Sequence, residues 1–438
     1  MQPSVWTRLR AIGASVTVVA FAVAPAGAAN DIDDEMKQMR ELVLQLQDQV
    51  QNQQVEIEEQ SEVLRDAGLE DRSSASRLSS FLESTDFSGT VAASYFYNTN
   101  NPLIPNTLGG KTGAGGNNAV SNPFHPDHNS IQLDEVWLSM SRSASDESPV
   151  GFGIDLVYGA LGSINGYSDD MGVLAGGGNG FWLNQGYIEY MPMSGWTLTA
   201  GKFATHIGYE VAGAGNNANV TRGFTYNLLQ PISQIGAKLE GDIGGISLML
   251  GVVNGFGENQ PDFDTNKDLI WQAGWANDTL TVLFNGEWGE IGGTGDNSLL
   301  TLDGVVEFAP TDEIVTWLNV TWQQVELMGT DSSDIGINIG GRLGLGDRMG
   351  VAARFEWGSF EDRVVVGTPP TSGDLDLWSI TGTFDYLLVE GLTMRTELQY
   401  TAADADGPST NSDIFRDDSG LDTEDGQFLI GVQLVYAF

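Results

Sequence analysis

The sequence has no cysteine and is poor in proline, histidine and basic residues. Its 438 residues include 14 Pro, 3 His and 19 Lys plus Arg. Without cysteine the chain can form neither a disulfide bond nor a thiolate metal site, which suits a protein that crosses an oxidising compartment before it folds. The three histidines all lie in segments predicted to be loops. The sequence therefore shows no catalytic set of nucleophile, base and orienting group. We therefore expect no enzyme.

Long apolar runs are also missing beyond the first 28 residues. No later stretch approaches the roughly 20 apolar residues that a membrane-spanning helix needs. Inside a bilayer every backbone polar group must find a partner within the protein. A membrane protein with this sequence would therefore have to cross as a closed barrel of strands.

Acidic residues greatly outnumber basic ones. The chain has 59 Asp plus Glu against 19 Lys plus Arg, a formal net charge of −40. Because phosphate binding needs clustered Lys and Arg, this charge argues against nucleic acid as a partner. It fits acidic outer loops that are solvated or hold divalent cations.

The N-terminus carries an export signal. Arg8 and Arg10 precede an apolar run over residues 11–24, and Ala-Gly-Ala at 26–28 is a cleavage pattern. Residues 1–28 are therefore predicted to be a secretory signal peptide.

A short coiled coil is predicted to follow over residues 29–65, in the periplasm. Apolar residues alternate at spacings of three and four, with glutamine at two intervening positions that help to fix the register. These residues are Met36, Met39, Val43, Leu46, Val50, Gln53, Ile57, Gln60 and Leu64. A lone amphipathic helix is the alternative, and residues 66–85 are interpreted as a linker.

Residues 86–438 show the alternation of strands, most clearly in Gln427 to Phe438 (QFLIGVQLVYAF). Large apolar residues occupy one face of this segment, and small or polar residues occupy the other. About 16 such runs occur, and short turns alternate with long polar connections. We predict an all-β fold, a transmembrane antiparallel β-barrel of about 16 strands with its N-terminus in the periplasm.

Charged residues fall on one face of the later strands. In Leu392 to Tyr400, for example, Arg395 and Glu397 alternate with apolar residues. Charges at strand centres are tolerated only where they face water. The pattern therefore predicts a wet lumen.

Two stretches resemble the OmpL-like outer-membrane porins. The first lies within residues 197–256 and contains TLTAGKFATHIGYEV, NVTRGFTYNLLQPISQIGAKLEG and ISLMLGVVNGF; the second is SNPFHPDHNSIQLDEVWLSM at 121–140. The resemblance implies a porin channel in the bacterial outer membrane without fixing the solute. It also implies a homotrimer, contact with outer-membrane lipid, and a terminal aromatic strand, including Tyr436 and Phe438, that is read by the barrel-assembly machinery.

The resemblance further implies that the loop after the fifth strand folds into the lumen as a constriction. Candidate constriction residues are Lys202, His206, Glu210 and Arg222. Other charges that the alternation assigns to the lumen are Glu135, Asp155, Glu189, Lys238, Glu240, Glu287, Asp303, Glu307, Arg342, Arg354, Glu356, Arg395 and Glu397. Acids outnumber bases among them, which predicts a modest preference for cations.

Metal sites are weakly indicated. Asp262, Asp264, Asn266 and Asp268 match the first half of a calcium loop, but Lys267 stands where a glycine is expected and the distal glutamate is missing. A solvated turn is the simpler interpretation, and no other cofactor is expected. His125, Asp127 and His128 could grip a transition metal, although an ordinary loop explains them as well.

The function predicted from the sequence is passive diffusion of small hydrophilic solutes and ions through a porin. Two alternatives stay open: a selective uptake channel for a siderophore or another small ligand, and a structural tether that joins the outer membrane to the cell wall. Phosphate selectivity is disfavoured because this sequence lacks the dense basic clusters that such channels use.

Overall fold

The structure is a computed structural model that describes residues 81–100, 124–125, 129–166, 180–257, 266–290, 297–327, 330–365, 371–406, 415–416 and 423–438. The predicted signal peptide, the predicted coiled coil and residues 66–80 of the linker lie outside these residues. Within the described part of the chain, no helix is long and apolar enough to span a membrane.

Sixteen antiparallel strands form a closed barrel, as the sequence predicts. The strands before the long third loop are β1 Asp86–Asn98, β2 Ser130–Arg142, β3 Val150–Tyr158, β4 Phe181–Met193 and β5 Trp196–Ala204. After it come β6 Ser233–Ile243, β7 Ile246–Val253, β8 Asp268–Ala276, β9 Leu280–Gly289, β10 Ser298–Thr311, β11 Ile314–Leu327 and β12 Thr330–Gly344. The last barrel strands are β13 Met349–Val365, β14 Thr371–Val389, β15 Leu392–Asp406 and β18 Gly426–Ala437.

Short helices and a small hairpin accompany the barrel. Helix α1 is Ala160–Gly166 and helix α2 is Phe224–Leu229. The two-residue strands β16 Phe415–Arg416 and β17 Thr423–Glu424 pair with each other outside the barrel sheet.

The barrel closes where the last strand pairs with the first. The register runs from Thr90 opposite Ala437 to Asn98 opposite Leu429. Beyond it, the backbones of Gly89 and Phe438 exchange two hydrogen bonds of 3.0 Å. Closure leaves neither β1 nor β18 with an unpaired edge, as lipid requires.

The two faces of the strands follow the predicted alternation. On β18 the large residues from Phe428 to Phe438 point outward, while Gln427, Leu429, Gln433 and Val435 are buried inside. The outer face carries exposed aromatic and aliphatic side chains around the barrel, as a lipid-facing surface does.

Short turns join the strands at one end of the barrel and mostly long connections join them at the other, although β11 and β12 are separated there by residues 328–329 alone. Strands β6 and β7 are joined by Gly244 and Gly245, both at positive φ, and β14 and β15 by a turn in which Gly391 has φ 80°. Glycine adopts this backbone conformation without steric cost. The turns are tight for this reason, and the opposite end of the barrel carries the long loops.

The strands β12 to β15 are longer than the sequence indicates. Strand β14, for instance, begins at Thr371, although the alternation of large apolar residues is clear only from Trp378. The added part of β14 pairs with β15 down to Asp374 opposite Asp406. Ladder hydrogen bonds with a neighbouring strand therefore extend strands beyond their own hydrophobic pattern.

Deletion of Phe438 should reduce the amount of assembled barrel. The deletion removes the two hydrogen bonds to Gly89 and an aromatic ring that stacks on Tyr436 at a centroid distance of 5.8 Å. The amount of heat-modifiable protein in the outer membrane measures the effect. Phe438→Tyr, which keeps the ring and the backbone, is the matched control, and equal amounts for deletion and control would contradict the expectation.

Candidate functional site: the third loop inside the barrel

The third long loop, residues 205–232 (called L3 below), lies inside the barrel. Nearly all of its residues are buried or partly buried, and only Val211, Gly215 and Asn216 are exposed. Its polar contacts reach the inner wall on β2 and on every strand from β9 to β15. L3 therefore crosses the lumen rather than extending from the rim.

Carboxylates of the wall bind the backbone of L3. Glu397 accepts hydrogen bonds from the backbone N–H groups of Val220 and Thr221 at 2.6 and 3.0 Å. Glu356 accepts from the N–H of Thr225 at 3.2 Å, near the start of helix α2. Hydrogen bonds to ionised acceptors are about twice as strong as neutral ones. These carboxylates therefore fix the path of the loop.

Two further wall acids hold other parts of L3 in the same way. Glu135 accepts from the N–H of Ala214 at 3.1 Å, and Asp303 accepts from the N–H of Gly208 at 3.1 Å. Asp303 also accepts from Asn319 at 2.5 Å. The first half of L3 is thus attached to β10 at Gly208 and to β2 at Ala214.

Arg354 on β13 is the centre of the attachment. Its side chain is fully buried and lies 2.5 Å from the carboxylate of Glu210 in L3 and 3.4 Å from that of Glu356. It also donates to the carbonyl oxygen of Thr221 at 2.6 Å. A buried charge requires such pairing, because desolvation is otherwise too costly.

Glu210 connects this ion pair to the rest of the loop. Besides Arg354 it accepts from the N–H of Gly223 at 2.8 Å and from Asn338 on β12 at 3.0 Å. Gly223 packs against the carboxylate of Glu356 so closely that a β-carbon would collide with it.

Arg222 joins two parts of L3 to each other. Its guanidinium donates to the carbonyl oxygens of Val211, Val220 and Ala212. It also lies over the ring of Phe124, 5.2 Å from the centroid. Its charge is therefore buried within the loop and does not face open water.

The first turn of L3 is held by an aromatic stack and by hydrogen bonds to β9 and β10. Tyr209 stacks on Trp317 at a centroid distance of 4.9 Å and donates its hydroxyl to Glu307 at 3.0 Å. His206 contacts the carbonyl oxygen of Gly286 at 3.1 Å. Burial lowers the pKa of His206 to about 4, so its imidazole is neutral at pH 7.

Helix α2 of L3 packs on apolar residues of the long strands. Phe224 and Leu229 form a buried cluster with Phe360 and Leu377, and Phe415 of the small outer hairpin completes it. The wall contributes glycine at 336 and 358, where L3 side chains fill the space of a β-carbon. The hairpin and L3 thus share one buried apolar cluster.

All residues that the sequence assigned to the lumen lie on barrel strands, and the structure divides them into two groups. One group is buried against L3 or within the wall: Glu135, Asp155, Glu287, Asp303, Arg354, Glu356 and Glu397. The other is accessible or partly accessible and lies toward the short-turn end: Glu189, Lys238, Glu240, Glu307, Arg342 and Arg395.

The accessible charges form pairs across neighbouring positions. Lys238 and Glu240 are 2.8 Å apart, with 21 and 43 % of their side chains exposed. Arg342 and Asp385 are 2.7 Å apart, with 38 and 12 % exposed. Arg395 donates to the carbonyl oxygen of Ala214 at 2.8 Å and so touches the underside of L3.

The remaining constriction candidate is Lys202, at the end of β5. It is buried, and its ammonium group lies 5.6 Å from the centroid of Trp182. The structure thus brings Glu210 and Arg222 together, because Glu210 accepts from the N–H of Gly223, the residue after Arg222. Lys202 lies on β5, and His206 lies at the start of L3.

Several residues that the sequence analysis did not single out complete the site. Asn319 and Asn338 face inward and bind L3, and Asp385 faces inward and binds Arg342. Their inward parity on strands was a usable signal for the amides. Strand parity gave no such signal for Asp134. A bulge opposite Ala92 and Ala93 turns both Asp134 and its neighbour Glu135 inward.

Two of the four weak calcium candidates, Asp262 and Asp264, lie outside the described residues. Asn266 precedes β8, and Asp268 is its first residue, buried and facing inward. His125 lies 3.7 Å from Asp134, whereas Asp127 and His128 are outside the described part. Within that part, no group of three or more His, Cys, Asp or Glu residues is arranged to hold a metal ion.

A closed sixteen-stranded barrel with polar residues inside, apolar residues outside and a long loop folded into the lumen defines a porin channel of the bacterial outer membrane. Residues 84–438 match the family described as "Putative beta-barrel porin-2, OmpL-like", and the chain belongs to that family. No curated protein matches the sequence.

Solved structures share the fold. OmpT of Vibrio cholerae, solved in a trimer form, is 11 % identical with a TM-score of 0.51, covering 81 % of this chain and 99 % of that one. The outer-membrane channel DcaP of Acinetobacter baumannii is 10 % identical with a TM-score of 0.51, covering 81 % of this chain and 97 % of that one. At such low identity the likeness shows the fold alone.

Glu210→Ala should loosen L3. Removing one partner of a buried ion pair costs about 3–5 kcal/mol, because the other charge is left uncompensated. We expect a lower thermal midpoint in detergent and a noisier, larger single-channel conductance. Glu240→Ala is the control, because it also removes a glutamate carboxylate, but from an exposed ion pair. Such a pair contributes about 0–1 kcal/mol, so the thermal midpoint should be almost unchanged. Equal midpoints for both variants would show that Glu210 does not hold the loop.

Proposed function

We propose that the channel gives passive diffusion to small hydrophilic solutes and ions. The observation that carries this proposal is the row of accessible charges on the inner wall, from Lys238 and Glu240 to Arg342 and Asp385, on the short-turn side of L3. A barrel of this strand number leaves room for water within it. Charged side chains at membrane depth indicate a wet path.

L3 sets the width of that path. Its fastening by Arg354, Glu356 and Glu397 makes the loop a fixed constriction. Glu210 and Arg222 act in this constriction chiefly by holding the loop, and the field that a solute meets comes from the accessible wall charges. The same packing would also serve a selective uptake channel, in which solute flux saturates with concentration.

The accessible charges favour cations modestly. The pairs Lys238 with Glu240 and Arg342 with Asp385 largely cancel. The remaining accessible charges are the negative Glu189 and Glu307 and the positive Arg395, so the lumen keeps a small net negative charge. Mobile cations gain from this mean potential, and salt screens it within about 10 Å at 0.1 M.

Lys238→Gln should strengthen the preference for cations. The substitution removes an accessible positive charge from the lumen and leaves Glu240 uncompensated. Reversal potentials in planar bilayers under a KCl gradient at low ionic strength measure the preference, and 1 M salt should remove most of the difference. Arg348→Gln makes the same charge change in an exposed turn outside the lumen and serves as the control. A shift toward anions for Lys238→Gln, or an equal shift for Arg348→Gln, would contradict the assignment.

We propose further that the protein is a homotrimer with the segment 29–65 in the periplasm. The apolar seam from Met36 to Leu64 suits a parallel coiled coil, and closed symmetric assembly is usual for such interfaces. Mass measurement in mild detergent should give three protomers for the full chain and a weaker assembly after deletion of residues 29–65. A purely monomeric full chain would rule the proposal out.

A further inference from the structure

A cavity opens on the outer face of the barrel, near the long-loop end of β13, β14 and β15. Its volume is about 480 Å³, and its lining includes Trp357, Trp378 and Tyr400 together with Asp376 and Asp404. Each of these side chains belongs to the outward set of its strand, where it alternates with buried residues. The cavity therefore lies on the membrane side of the wall and not on the solute path.

Three aromatic rings line the cavity. Trp357 and Trp378 are register partners on β13 and β14, and they are 39 and 43 % exposed. The ring of Tyr400 on β15 lies 5.3 Å from that of Trp378 and is tilted by 54°. Glycine at position 426 leaves the space that the hydroxyl end of the Tyr400 ring occupies. The rings thus form an aromatic wall across three strands.

Carboxylates line the side of the cavity that is nearer the long loops. Asp376 and Asp404 are register partners on β14 and β15, so their side chains lie next to each other on the outward face. Asp425, just before β18, also lines the cavity. Among the described residues, no lysine or arginine forms an ion pair with these three aspartates. Like charges so placed repel each other and favour a positive group between them.

The height of the cavity on the wall is that of the membrane interface. Toward the short-turn end, the next outward residues on the three strands are Phe355, Ile380 and Leu398, all apolar and exposed. The aromatic residues follow, and the aspartates come last. Tryptophan and tyrosine are typical of the level where hydrocarbon meets water. A lipid whose chains lie along the apolar residues would therefore bring its headgroup to the cavity.

The lining selects the kind of headgroup. Aromatic faces attract cations and recognise alkylammonium groups in particular, and carboxylates attract the same charge. Aromatic rings offer no oxygen ligand to a metal ion. We propose that the cavity binds the ammonium headgroup of a membrane phospholipid, with the carbon atoms of that group on Trp357 and Trp378 and its charge beside Asp376 and Asp404. This binding does not depend on which solute passes through the channel.

The test is lipid retention by the full chain, purified in a neutral detergent and measured by native mass spectrometry. The protein is incubated with equal amounts of phosphatidylethanolamine and phosphatidylglycerol that carry the same acyl chains. We expect about ten-fold more retained phosphatidylethanolamine, because only its headgroup offers a cation to the rings and carboxylates. The double variant Asp376→Asn with Asp404→Asn, and the single variant Trp378→Leu, should each lose most of this preference.

Two controls separate the cavity from general effects. Asp312→Asn with Asp347→Asn makes the same charge change in exposed turns at the short-turn end and should keep the preference. An excess of free ethanolamine shows whether the ligand is a lipid. It should displace little of the retained phosphatidylethanolamine, because the acyl chains of the lipid also contribute to binding.

Three results would overturn the proposal: equal retention of the two lipids by the wild type, an unchanged preference in both cavity variants, and complete displacement by free ethanolamine. The last would show a site for a soluble ammonium compound. Should the double variant fail to assemble, Asp425→Asn replaces it, because this carboxylate lies outside the barrel ladders. A weaker preference in Asp425→Asn supports the proposal, and an unchanged one contradicts it.

Discussion

The pairing of every backbone polar group governs this structure. In lipid an unpaired N–H or C=O costs several kcal/mol, so the sheet has to close. Closure brings β1 against β18, segments that lie at opposite ends of the barrel sequence. It also makes an inside and an outside, and the alternation of side chains along each strand then assigns every residue to lipid or to the lumen.

The interior that closure creates is filled by L3. A loop inside a barrel carries backbone groups that need partners just as the strands do. The wall supplies them as carboxylates, with Glu135, Glu356 and Glu397 each accepting from loop N–H groups. Arg354 offsets part of this negative charge from within the wall and draws Glu210 of the loop into the same network. The acids that dominate the composition of the wall therefore serve first to hold the loop.

This use of the acids changes how the lumen charge is understood. Buried carboxylates that accept loop hydrogen bonds are shielded from the solute path, while Lys238, Glu240, Arg342 and Asp385 remain beside it. The net charge of −40 consequently says little about the field inside the pore. Selectivity depends on a small difference among a few accessible groups, because most of those are paired.

The sequence by itself determined the barrel, the number of its strands, their faces and most of the short turns. These features follow from period-two alternation and from glycine-rich turns, which are local properties that neighbouring residues reveal. Inward parity likewise identified Arg354, Glu356 and Glu397 as interior residues.

Only the tertiary structure decided what these residues bind. Glu210 and Arg354 are 144 positions apart, and no local pattern relates them. The inward turn of Asp134 at a bulge depends in the same way on how one strand lies against the next, since register and bulges are set by pairing partners that are remote in sequence.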